Sequence, residues 1–309
     1  MADKSFGKTL LTAAGLLLAL APCASLACAC GCGVFEVDAL PSMTQGATFS
    51  LDYDFMDQNR NWSGTSGAPA SANDDKKIET DFFTAGGQYV FDRNWSVKVE
   101  VPVWNRAFTT DTGSGIATFR HGALGDIRVT GIYTGLSDDR TTGVIFGVKL
   151  PTGDFRYAGF DRDTEIGTGS TDALFGLYHS GTLTSDETWG WYGQILWDKA
   201  LTGQGGYTPG GEFDGAVGLM YGGFKLDGGA QITPILQMIG SSRVRDGGVN
   251  ADPADSGYNR VLLSPGIEVD VRGWKLYGDV EFPVYQNVNG NQLVAHQLFK
   301  FSVSASLDG

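Results

Sequence analysis

Hydrophobic and polar residues alternate one by one along much of the chain. In "WSVKVEVPVW", Trp95 to Trp104, the residues Val97, Val99, Val101 and Val103 fall on one face, and Lys98, Glu100 and Pro102 on the other. In "WKLYGDVEFPVY", Trp274 to Tyr285, the face of Trp274, Leu276, Val280, Phe282 and Val284 is opposed by Lys275, Asp279 and Glu281. Successive side chains of a strand point to opposite faces, so a period of two predicts strands. The ions stand at mid-strand, and the other face is apolar throughout. That arrangement predicts an apolar wall toward lipid and a polar wall toward a lumen. Aromatic residues mark the segment ends, as interfacial girdles do: Trp62, Trp95, Trp104, Trp189, Trp197, Trp274 and Tyr285.

About twelve such segments are expected, an even number as bacterial barrels have. Their approximate spans are 47–61, 81–91, 95–108, 122–136, 142–152, 171–184, 189–201, 212–222, 225–240, 259–271, 274–287 and 296–307. Short connections such as "DRN" (92–94), "SDDR" (137–140), "SDE" (185–187), "GGF" (222–224) and "RG" (272–273) alternate with long ones. The predicted fold is therefore all-β: a transmembrane antiparallel up-and-down β-barrel with a short N-terminal periplasmic or lumenal segment. Short turns belong on the periplasmic side and long loops outside, so both termini are expected in the periplasm of a Gram-negative bacterium, with the multi-pass barrel in its outer membrane.

The first residues add a compartment. Lys4 and Lys8 precede an apolar run from Leu10 to Leu20, and Ser25-Leu26-Ala27 offers a small-x-Ala cleavage site. These are the parts of a secretory signal peptide, and the run is too short for a transmembrane helix. The expected organisation is a signal peptide over 1–27, a Cys-rich segment over 28–46 and the barrel over 47–309. A lipoprotein signal is the rival reading, with Cys28 lipidated, although Ser25 stands where a lipobox wants Leu. The formal net charge of −13 argues against a nucleic-acid partner, which needs a basic face.

Two groups of residues carry candidate chemistry. The first is "CACGCG", in which Cys28, Cys30 and Cys32 point the same way if the segment is extended. Three thiolates on one face suit a soft ion such as Cu(I) or Zn²⁺. An intermolecular disulfide or redox contact with a periplasmic partner, lipidation, and no role beyond signal processing are the alternatives. The second group is the lumen face: Lys98, Glu100, Lys149, Glu268, Asp270, Lys275, Asp279 and Glu281. Buried charges must pair or be hydrated, so the lumen is expected to be either a charge-paired plug or a wet pore. The peptides "VEVPVWN" and "VEFPVYQN" both set an inward Glu two residues before an inward Pro. They read as recurrent rim chemistry before they read as a paired substrate site. "DRDTE", with Asp161, Asp163 and Glu165, reads as a solvated acidic loop, with Ca²⁺ ligation the less favoured alternative. His179 beside Ser180 would lie on the opposite strand face, so no catalytic site is expected.

"GVKLPTGDF" (147–155), followed by "IGTGSTDALFGLYHSGTL" (166–183), resembles the outer-membrane proteins grouped as the phenol-degradation meta-pathway transporter family. The resemblance is strongest over roughly 140–185 and reduces elsewhere to a shared barrel pattern. It implies a channel associated with aromatic-compound catabolism, and it brings no catalytic motif with it. The functional expectation is a channel or transporter for small solutes, aromatic or metal-linked, embedded in outer-membrane lipid. The second expectation is a barrel that docks or sheathes a periplasmic redox or metal-handling protein through the cysteine segment.

Overall fold

The computed structural model describes Pro41, residues 45–226 and residues 228–308. Among them are fourteen strands in one antiparallel sheet: β1 (Gly46–Gly64), β2 (Ser66–Gly67), β3 (Asp75–Val90), β4 (Trp95–Asp111), β5 (Ile116–Leu124), β6 (Arg128–Tyr133), β7 (Thr142–Lys149), β8 (Asp172–Thr182), β9 (Trp189–Ala200), β10 (Glu212–Tyr221), β11 (Phe224–Lys225), β12 (Gln231–Arg243), β13 (Tyr258–Val271) and β14 (Trp274–Asp308). The sheet closes on itself because β10 pairs with both β9 and β12, and β1 pairs with both β3 and β14. Closure gives β1, β3, β4, β6 to β10 and β12 to β14 a partner on both edges, as hydrocarbon demands, while β5 pairs with β4 alone. No helix among the described residues is long and apolar enough to cross a membrane.

Twelve passes emerge from these strands. The long ribbon β14 turns back at Gly290, where φ is +59°. Its first half pairs with β13 through Val288, and its second half pairs with β1. β5 and β6 make a single pass interrupted at Gly125-Asp126-Ile127, for β4 pairs with β5 along its upper half and with β6 along its lower. β2 and β11 are short additions to β1 and β12. The strand count follows the sequence expectation; several boundaries do not. Residues 109–121, expected as loop, form a hairpin in which β4 runs on to Asp111 and β5 starts at Ile116. The hydroxyls of Thr109 and Thr118 meet across it at 2.9 Å. β3 starts at Asp75, where loop was expected, and β12 at Gln231 instead of 225.

The short turns are closed by their own polar side chains. Asp92 Oδ1 accepts from the backbone N–H of Asn94 (2.7 Å) and of Trp95 (3.0 Å). Asp139 Oδ1 accepts from the N–H and hydroxyl of Thr141, and Asp186 Oδ1 from the N–H of Thr188. These carboxylates supply acceptors the turn backbone would otherwise lack.

The outer wall is apolar. Phe49, Leu51, Val99, Val103, Phe175, Leu276 and Phe301 are all exposed on it, as are Trp95, Trp189, Trp197, Trp274 and Tyr285 near its margins. Two expected girdle residues point inward instead. Trp104 packs edge-on against Phe82 with ring centroids 4.8 Å apart, and Trp62 packs against a buried cluster of Tyr258, Val288 and Val294. Both are on the lumen parity of their strands, which their place near strand ends did not reveal.

Candidate lumenal site

Of the residues expected on the lumen face, Lys98, Glu100, Lys149, Glu268 and Lys275 take part in ion pairs. Lys98 Nζ lies 2.5 Å from Glu100 Oε1, and Lys275 Nζ lies 2.9 Å from Glu268 Oε1. Asp270 stands opposite Lys275 in the β13–β14 register. Lys149 is buried against Asp172 and lies 3.5 Å from Asp198, which is 3.7 Å from Arg128. Asp279 accepts from Ser264 Oγ (2.8 Å), Tyr277 Oη (2.5 Å) and Gln237 Nε2 (3.0 Å), and Tyr192 Oη donates to Gln237 Oε1. Glu281 is fully buried. The charge-paired plug is therefore the better of the two lumen expectations, but it is incomplete, because the middle of the lumen is apolar.

Met56, Phe82, Tyr192, Leu196, Ala216, Ile239, Leu262, Ala295 and Leu298 form one buried cluster, with Trp104, Met220 and Ile235 packed against it. These residues come from β1, β3, β4, β9, β10, β12, β13 and β14. All nine cluster residues are at most 6% exposed. Inward residues of an open pore would be wetted from the lumen, so this level of the barrel is dry. A barrel of this strand number lies between the small ones that side chains fill and the large ones that hold an aqueous channel. Large apolar side chains from most of the circumference are what fill it.

The cluster was not foreseen, though a signal for it exists. Strict alternation fails in pairs of adjacent apolar residues: Phe55-Met56, Phe82-Phe83, Ile195-Leu196, Met238-Ile239, Leu262-Leu263 and Leu298-Phe299. In each pair one member enters the cluster and the other lies on the outer wall. Two apolar neighbours on a strand make both its faces apolar.

The long-loop end of the lumen is closed by residues 150–171. Asp126, at the break between β5 and β6, gathers both ends of this loop. Its Oδ1 accepts from Gly153 N (2.9 Å), and its Oδ2 from Thr168 N (2.8 Å) and Thr168 Oγ1 (2.5 Å). The ends cross so closely that a Cβ on Gly167 would sit 2.4 Å from the carbonyl carbon of Gly153. This crossing explains the glycines of "PTGDF" and "IGTGS" without any phosphate cradle. The loop centre is held by Arg106 of β4, which is 2% exposed. Its Nη1 donates to the carbonyl oxygens of Thr164 (2.6 Å) and Glu165 (3.1 Å), and its Nε to Thr80 Oγ1 (2.9 Å). Phe160 and Ile166 of the loop then pack on Ile78, Phe108 and Leu293.

"DRDTE" is consequently not a solvated loop. Burial pushes the Glu165 carboxyl up to about 7, and burial also raises those of Asp161 and Asp163. Its cation, Arg162, is stacked between Phe155 (5.0 Å) and Tyr207 (4.4 Å) and donates to the carbonyl oxygen of Thr168 (2.5 Å). His121 stacks flat on Tyr157 at 4.2 Å, and its Nε2 lies 2.9 Å from Asp154 Oδ2, a hydrogen bond that holds the Asp154 carboxyl below its usual range. No group of metal-ligating side chains occurs among the described residues, and Cys28, Cys30 and Cys32 lie outside them. His179 is exposed, bonded to Thr142 Oγ1 at 2.7 Å and tilted against Trp191 with ring centroids 5.2 Å apart.

No family model matches the chain, and no curated protein matches it in sequence. Among solved structures, the COG4313 outer membrane channel from Pseudomonas putida F1 superposes with a TM-score of 0.64 at 10% identity, over 88% of this chain and 98% of the other. The β domain of the Bordetella autotransporter BrkA gives a TM-score of 0.48 at 11% identity, over 85% of this chain and all of that one. What this chain shares with the Pseudomonas channel is the fold: a closed transmembrane β-barrel spanning nearly the whole length of both proteins.

Proposed function

We propose that this protein is an outer-membrane channel for small solutes. The observation that carries the reading is the inversion of polarity across one closed wall, with apolar side chains outside and ion pairs and hydrogen bonds inside. The Pseudomonas protein that shares the fold is itself named an outer membrane channel. Long loops outside and both termini in the periplasm is the orientation that barrels of this kind adopt. The resemblance around residues 147–183 favours aromatic solutes. Cys28, Cys30 and Cys32 would hold Cu(I) or Zn²⁺ on the periplasmic side, where thiolate softness selects such ions.

A second reading is a barrel that docks a periplasmic redox or metal-handling partner. The dry lumen favours it, and so does a cleft of about 480 Å³ between Gln45 and the turn residues Asp92, Arg93, Asp138, Asp139 and Arg140. The cleft lies where β1 begins, next to the expected exit of the cysteine segment.

Liposome swelling separates the two readings. Purified protein should admit small uncharged solutes into proteoliposomes. Liposomes that stay tight, together with a periplasmic protein that co-purifies and is lost when the three cysteines become Ser, would favour the scaffold. Orientation is read by impermeant thiol labels: single cysteines at Gly67, which is exposed, and at Asp252 should react on intact cells, and those at Asn94 and Asp139 should not.

A further inference from the structure

Six inward side chains dominate the apolar level of the lumen: Met56, Phe82, Leu196, Ile239, Leu262 and Leu298. They project from six different strands, and none is more than 6% exposed. The hydrogen-bonded group of Tyr192, Gln237, Ser264, Tyr277 and Asp279 adjoins this level, and the ion pairs Lys98–Glu100 and Lys275–Glu268 stand nearer the short turns. A solute travelling along the axis therefore meets polar wall, then apolar wall, then the folded loop 150–171.

We infer that this apolar level is the selectivity barrier of the protein: a hydrophobic gate that excludes hydrated ions and charged solutes and yields to uncharged ones. The inference rests on the channel reading given above and adds which residues set the selectivity and what class of solute passes. A hydrated ion can cross an apolar constriction only by shedding water that nothing there replaces. An uncharged solute pays a smaller penalty, the lost hydration of its polar groups without that of a charge, and exchanges contacts with side chains that hop between rotamers. Met56 and the leucines suit such exchange, since they have several accessible rotamers and no polar atoms to leave unsatisfied. The ion pairs Lys98–Glu100 and Lys275–Glu268 nearer the turns do not perform the sorting, because in each a cation is matched by its own carboxylate.

The test compares wild type with Leu262→Ser/Leu298→Ser and with the size-conserving pair Leu262→Asn/Leu298→Asn, after heat-modifiable migration confirms that each barrel is assembled. Potassium chloride conductance is recorded in planar bilayers, and entry of a small uncharged polyol is followed by liposome swelling. The inference predicts that wild type passes the polyol with little steady ionic current. In at least one assembled variant the ionic current rises about tenfold or more, as expected when a dewetted constriction becomes wettable. Steady ionic current through wild type, or assembled variants of both kinds with unchanged current, would overturn the gate while leaving the channel reading intact. If neither ions nor polyol pass through wild type or any assembled variant, the channel reading itself falls and takes the gate with it. The wild-type recordings decide against or for the gate even if every serine and asparagine variant fails to assemble.

Discussion

Replacing Arg106 with Met should release the centre of loop 150–171 while leaving its ends and the barrel in place. The guanidinium donates to the carbonyl oxygens of Thr164 and Glu165, which lie in the loop, and to Thr80, which lies within the wall. Hydrogen bonds from a charged donor contribute roughly 1.5–3 kcal/mol each, so their loss should weaken closure by about 3–6 kcal/mol. Methionine keeps much of the volume and leaves two buried carbonyls without their donor, which adds to the preference for opening. The three bonds from Asp126 to Gly153 and Thr168 remain and still pin both loop ends. Hydrogen exchange resolves these regions. The N–H of Phe160, bonded to Tyr157, and of Thr164, bonded to Asp161, should exchange roughly a hundredfold faster or more, whereas those of Gly153 and Thr168 should change little. β4 keeps its ladders with β3, β5 and β6, so heat-resistant migration should persist. Unchanged exchange at Phe160 and Thr164 in an assembled Arg106→Met protein would refute the latch.

Closure of the same loop should depend on pH. The Glu165 carboxyl is raised from 4.5 to about 7 by burial, against partial relief from Arg162 and Arg106. The closed loop therefore binds the extra proton. Its contribution to closure is complete below about pH 4.5 and is lost as pH rises through 7, so the protection of Thr164, taken relative to the intrinsic base-catalysed rate, should fall over that interval. Glu165→Gln should remove the Glu165 share of the fall, while that of Asp161 and Asp163, also raised by burial, persists. On the wall, Val99→Lys or Leu276→Lys sets a charge toward hydrocarbon at a cost of roughly 2–4 kcal/mol near the midplane. Lys98→Val or Lys275→Val, on the lumen side, should assemble almost normally, and equal damage to heat-resistant migration from both sets would contradict the inside–outside assignment. Anaerobically purified mature protein should carry about one equivalent of Cu(I) or Zn²⁺, less at low pH because thiolates bind only when deprotonated. Cys28→Ser/Cys30→Ser/Cys32→Ser should abolish that binding; retention of metal by the triple variant would exclude the site.

The barrel was legible because its wall obeys one rule for most of its length. Val97 to Val103 and Trp274 to Val284 alternate without exception between lipid and lumen, and the short turns carry Asp at the places where the backbone needs acceptors. The same parity sets Lys98 and Glu100 on one face, but the pairs themselves depend on side-chain reach that alternation does not fix. The apolar level was not legible, because Leu196, Leu262 and Leu298 look like extensions of the lipid face until each is placed by parity beside Ile195, Leu263 and Phe299. Trp104 misled for the same reason: its position near a strand end suggested a girdle, and its parity sends it inward. Loop 150–171 was the hardest to foresee. Its shape depends on Arg106 and Asp126, contributed by distant strands, and nothing local in "DRDTE" distinguishes an acidic loop in water from one folded into a barrel mouth.

Passage of small uncharged solutes across an outer membrane is the behaviour that the proposed function requires. It is tested most directly in a porin-deficient Gram-negative strain expressing the protein, by measuring influx of an uncharged probe that a periplasmic enzyme consumes. The account predicts influx that rises with the amount of assembled barrel, while influx of a charged analogue of similar size does not. Influx of the uncharged probe at the level of the empty strain, with the barrel demonstrably assembled in the outer membrane, would contradict it.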